Sequence, residues 1–166
     1  MTIQSQTQID NLDNITAISN VFNPKILKFK PKKTKMTERR LLSNATSIEA
    51  VWKMVKHQEL VTPRDFYFAG VILERGHALE DYALAYLLAL HANNMGYENV
   101  PNTPHPLAVA ASARDKWLLS MGQPQDFGTQ KKLHSCGIIE RQPTNPNISD
   151  SERERFHVPR LTWISR

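Results

Sequence analysis

With a single cysteine, Cys136, the 166-residue chain cannot form an internal disulfide, which excludes a small secreted scaffold held by bridges and favours a reducing compartment. Its six glycines fall in neither a G-x-G-x-x-G fingerprint nor a P-loop, so the common phosphate cradles are absent. The longest apolar stretch, Tyr82 to Ala92, covers 11 residues, whereas a helix needs about 20 to cross a hydrocarbon layer. No transmembrane segment is expected. The six histidines show neither a carboxylate-flanked i, i+4 spacing nor paired cysteines, and no metal or other cofactor is predicted. The head of the chain has no basic residue, and Asp10 and Asp13 argue against an organellar presequence. The expectation is a soluble, cytoplasmic protein. With 40% hydrophobic and 22% charged residues, collagenous, coiled-coil and wholly disordered classes are excluded, and the length suits one domain.

The formal charge of +5 is unevenly placed. Between Lys25 and Arg40 the chain reads KILKFKPKKTKMTERR, eight basic residues against Glu38, for a local charge of +7. Residues 1–24 carry −2, and residues 41–166 balance 13 basic against 13 acidic side chains. Like charges around Pro31 read as an extended, flexible arm over residues 1–40, preceding a single helical domain at 41–166. The arm is either a solvated linker or an electrostatic contact for polyanions through Lys25, Lys28, Lys30, Lys32, Lys33 and Lys35. Met36 offers an alternative start that would remove most of the run.

Helical patterning begins at Ser47, a candidate N-cap, with Ile48, Val51, Trp52 and Val55 on one face. Thr62-Pro63-Arg64-Asp65 is a stronger start, joining a capping hydroxyl, a proline suited to the first helical position and an acid at the positive helix end. That helix runs to about Arg75, and Gly76 ends it. The next, Leu79 to Met95, is apolar nearly all round, so it must be covered on several sides and belongs at the centre; Gly96 closes it. Small Ala83, Ala85, Ala89 and Ala92 let neighbours come close. A proline-rich loop precedes a third long helix from Pro106 to Met121, closed by Gly122. Beyond it, no helical period persists, and a structured loop or small extended segment is expected, pinned to the helices by Leu133, Ile138 and Ile139. Ser149 or Asp150 caps a short helix, followed by Val158, Pro159, Leu161 and Trp163 as packing anchors. The fold class is all-α: a compact array of three to four antiparallel helices with an irregular C-terminal segment.

The pair formed by Phe66-Tyr67-Phe68-Ala69 and Glu74-Arg75-Gly76, then Asp81-Tyr82 and Ala85 to Gly96, resembles the antiparallel hairpin of tetratricopeptide-like proteins. One copy is present, where stacks need about three. The stretch from Asp65 to Gln130 is similar to a bacterial family of small helical proteins through Gly76, Asp81-Tyr82, Ala85, Ala89, Gly96, Ala111, Asp115-Lys116, Leu119 and Gly122. The match continues through Pro124, Gln125, Phe127, Gly128, Thr129 and Gln130, and Glu152-Arg153 and Val158-Pro159-Arg160-Leu161 resemble the family's closing segment. Departures are Arg75, where such proteins often have His, and Lys116, where they often have Arg; a lysine offers a point charge rather than a guanidinium fork. The resemblance implies the helical fold and brings no reaction with it.

Asp115 lies mid-helix on a rather apolar face, where a carboxylate needs partners. The backbone N–H groups of Phe127-Gly128-Thr129-Gln130, with the Thr129 hydroxyl or the Gln130 amide, are the expected donors. Asp115 is then either a buried tie holding the loop or a general base, with Gln125, Thr129, Gln130 and Lys116 contacting a ligand. His91 shares a face with Leu84, Leu87, Leu88 and Met95 and is either a core histidine or a proton-transfer partner of Asp115. His134 beside Cys136 is a weaker thiol arrangement, since adjacency in sequence does not give spatial pairing. Three functions stay open. The first is a binding or accessory protein holding a small molecule or peptide near residues 123–130. The second is a small hydrolase-like acid–base enzyme using Asp115 and His91, and the third is polyanion attachment through the arm.

Overall fold

Thr62 does what its position promises: its Oγ1 accepts from the Asp65 amide at 3.1 Å, while Asp65 Oδ2 accepts from the Thr62 amide at 2.8 Å, closing a capping box at the head of a helix. The structure, a computed structural model, describes residues 44–161, with side chains from Ser47 onward. The basic segment 25–40, Met36 and Trp163 lie outside the described residues. Helices α1 (Asn44–Lys56), α2 (Pro63–Glu74), α3 (Leu79–Asn94) and α4 (Pro106–Ser120) are followed by strands β1 (Lys131–Leu133) and β2 (Ile139–Arg141) and a short α5 (Asp150–Arg155). The class is mostly helical, with one small two-stranded sheet among the described residues. No helix among them is long and apolar enough to cross a membrane.

α3 packs between α2 and α4, as its all-round apolar surface requires. Ala85, Leu88, Ala89 and Ala92 are fully buried on it. Gly70 on α2 permits a close approach to α3: a Cβ there would lie 3.3 Å from the Ala85 carbonyl and the Ala89 amide. Gly76 is required for another reason, since a Cβ would meet the Asp81 side chain at 2.4 Å. Asp81 accepts from the Ala78 amide at the start of α3 and from Trp52 Nε1 of α1 at 2.8 Å, so one carboxylate ties two helices together.

Three expectations are corrected. α1 already includes Asn44, and Ser47 sits inside it, buried; the i, i+4 spacing to fully buried Val51 puts it on the core stripe rather than at the cap. Leu133, Ile138 and Ile139 do not pin the 123–149 segment, being 68%, 63% and 65% exposed on and beside the hairpin. Pro159 is exposed, while its neighbour Val158 is buried with Ala111 and Phe127, against which Phe156 also packs. The segment is anchored by that small cluster and by polar contacts instead.

Candidate functional site

α4 carries Ser112, Asp115 and Lys116 at spacings of three and four, on adjacent parts of one face. Asp115 is completely buried. Its Oδ1 accepts from the amides of Asp126 and Phe127, both at 2.8 Å, and its Oδ2 accepts from the Thr129 amide at 2.8 Å and the Thr129 hydroxyl at 2.7 Å. Gly128 makes the turn possible at φ +76°, and a side chain there would strike Leu161 at 2.8 Å. Four donors fill the four lone-pair directions of the carboxylate and compensate its removal from water.

Gln125, equally buried, is the second tie. Its Nε2 donates to the carbonyls of Gln130 and Gln142, and its Oε1 accepts from the Gln130 amide at 2.8 Å. Its backbone donates to the Pro143 carbonyl and accepts from the Asn145 amide. Gln125 therefore occupies the outer edge of the chain that continues β2, like a single residue of a third strand. Asp126 pairs with Arg114 Nε at 2.5 Å and accepts from Asn145 Nδ2 at 3.0 Å. Arg153 of α5 is 2% exposed and donates to the carbonyls of Ile148, Asp126 and Asn145. These ties form a polar clasp that seats residues 123–149 on α4.

A chain of contacts leads outward from the clasp. Gln130 Nε2 donates to the hydroxyls of Thr129 and Ser112, and Ser112 donates to Glu74 Oε1 at 2.6 Å. Lys116 Nζ reaches the same Glu74 oxygen at 2.8 Å and the Glu74 carbonyl at 2.9 Å. Lys116 thereby satisfies an orphan carbonyl at the end of α2. Burial, then the Asp81 and Glu74 carboxylates, hold the Tyr82 hydroxyl above its ordinary range.

The structure thus brings Asp115, Gln125, Thr129, Gln130 and Lys116 into one connected network. His91 is elsewhere: its ring stands edge-on to Phe66 at 4.5 Å, and burial lowers its pKa, favouring the neutral ring. All four donors to Asp115 come from the loop, and His91 is not one of them. His134 pairs with Glu140 at 2.8 Å, and Cys136 is an exposed free thiol. Among the described residues no group of three or more potential ligands is placed to hold a metal. A cavity of about 370 Å³ lies at the head of α2, lined by Thr62, Pro63, Arg64, Gly96, Tyr97, Glu98 and Val100, and includes none of the catalytic or ligand-binding candidates chosen from the sequence.

Sequence reasoning missed Asp126, Arg153, Ser112 and Glu74. One signal for Arg153 was present: it stands three residues before Phe156, so the two share a face of the short helix, and Phe156 packs on Phe127. None of the family models, curated proteins or solved structures compared with the chain matches it.

Proposed function

We propose that this chain is a non-catalytic binding protein in which helices α2–α4 are the frame, the clasp is the mount, and the hairpin 131–141 is the part that meets a protein partner. The observation that carries this reading is the contrast between saturated Asp115 and the bare hairpin. A carboxylate that already accepts four hydrogen bonds has no lone pair left to take a proton from a substrate without dismantling the loop. The acid–base reading through Asp115 and His91 finds correspondingly little support. Loop 123–130 likewise directs Gln125 and Thr129 into its own scaffold rather than toward a small molecule. What the scaffold holds outward is a short hairpin with three branched apolar side chains in water, a composition typical of surfaces that bury on contact.

The test is a photocrosslinking residue at Ile138, with capture from lysate in parallel for the otherwise wild-type chain and for one also carrying Leu133→Ser and Ile139→Ser. A discrete crosslinked partner that the double variant loses is expected. Equal crosslinking by both, or none by either, overturns the reading.

A further inference from the structure

Resting on that docking reading, we infer that the free edge of β1 takes up an extended, acidic–apolar segment of a partner as a third strand. β1 and β2 are antiparallel, with Lys131 opposite Arg141, Lys132 opposite Glu140 and Leu133 opposite Ile139. Gln142 donates to the Gln130 carbonyl and His134 to the Ile138 carbonyl. Alternation from those two bonds makes Lys132 and Glu140 the hydrogen-bonded pair and turns the N–H and C=O groups of Lys131 and Leu133 away from β2. The two edges differ. On the β2 side, Ile139 and Glu140 are exposed, but Arg141 is half-buried and Gln125 covers the continuation of the strand at Thr144, whereas Lys131, Lys132 and Leu133 are all exposed.

The side chains state what the edge selects. Lys131 and Arg141 form a cationic row on one face, Leu133 and Ile139 an apolar row beside it on the same face, and Lys132 adds positive charge on the other face. Glu140 is engaged by His134. A third strand with carboxylates opposite Lys131 and Lys132 and a branched apolar residue opposite Leu133 extends the rows and satisfies the outward backbone groups. A second copy is a poor occupant, because an antiparallel pairing centred on β1 sets lysine against lysine. Insertion into lipid would bury the same unpaired edge groups in hydrocarbon, where an open strand edge is not tolerated.

The experiment is titration of the full chain with a terminally blocked peptide built round Val-Glu-Glu, a matched Val-Lys-Lys peptide, and vesicles of phosphatidylcholine with phosphatidylserine. The Val-Glu-Glu peptide is expected to bind, with an affinity that falls as salt rises. Combined Lys131→Glu and Lys132→Glu should weaken it by about tenfold or more and reverse the preference toward Val-Lys-Lys. Leu133→Pro removes an outward N–H while leaving the β1–β2 hydrogen bonds in place, and should also abolish peptide binding. The charge reversal keeps the test decisive if the proline variant loses its hairpin. Absence of Val-Glu-Glu binding, indifference to charge, binding to vesicles alone, or self-association removed by the charge reversal each overturns the inference. If the Ile138 crosslink persists while the acidic peptide fails, the strand partner falls and the docking reading stands.

Discussion

At the base of the 123–149 segment, Asp115 and Gln125 lie in the interior with their hydrogen-bonding groups occupied. Four residues beyond Thr129, Leu133 stands in water beside Ile139. Polar groups are inside at the base and apolar groups outside at the tip, the reverse of the usual arrangement. The difference separates two tasks. A polar clasp fixes direction, since each hydrogen bond tolerates little misalignment, while the tip makes no demand on the fold and is free to meet another surface.

The largest effect should come from breaking the base. Asp115→Ala leaves the buried amides of Asp126 and Phe127 and the half-buried amide of Thr129 without an acceptor and should cost about 3–5 kcal/mol in urea denaturation. A loss under about 1 kcal/mol would mean that water replaces the carboxylate and that the clasp does not hold the base.

Acid tests the same region from its C-terminal side. His105 caps α4, its Nδ1 accepting from the Leu107 amide, and its ring stacks on His157 at 3.7 Å. Burial and then the neighbouring His157 lower its pKa from the ordinary 6.5. The unfolded chain therefore takes up the proton first, so this contribution to stability is complete above about pH 6.5 and is lost as pH falls through the depressed value. His91, lowered by burial, adds with the same sign. Melting temperature should decline on acidification, and His105→Asn, which keeps a capping acceptor and cannot titrate, should make that decline shallower. An unchanged slope would assign the acid response to other groups.

The smallest effect belongs to the tip. Leu133→Ser with Ile139→Ser should change stability by no more than about 0.5 kcal/mol, because both side chains are about two-thirds exposed. A larger loss would show that the tip shares in the core and would erase the contrast.

The helices were legible because their signals are local. The Thr62 to Asp65 box lies within one turn, and Gly96 and Gly122 take the left-handed conformations expected just past helix ends. The alanine-rich face of α3 announced its central place. The donors to Asp115 were partly legible, since an apolar helix face carrying a carboxylate demands partners and the glycine-containing loop follows closely. The rest of the clasp was hidden by distance and disguise: Arg153 meets Asp126 across 27 residues from within a run of charges that reads as a solvated surface. Leu133, Ile138 and Ile139 misled for the opposite reason. Apolar residues predict burial, but a two-stranded hairpin has an inner face only where something lies against it.

The place of Arg153 also bears on where the chain can be shortened. Helices α1–α4 and the hairpin all precede it in sequence, yet the carbonyls of Asp126, Asn145 and Ile148 depend on its guanidinium. A chain cut before residue 153 would therefore keep every residue of the hairpin and lose one of the ties that seat it, so the hairpin's orientation is set in part by a residue beyond its own segment.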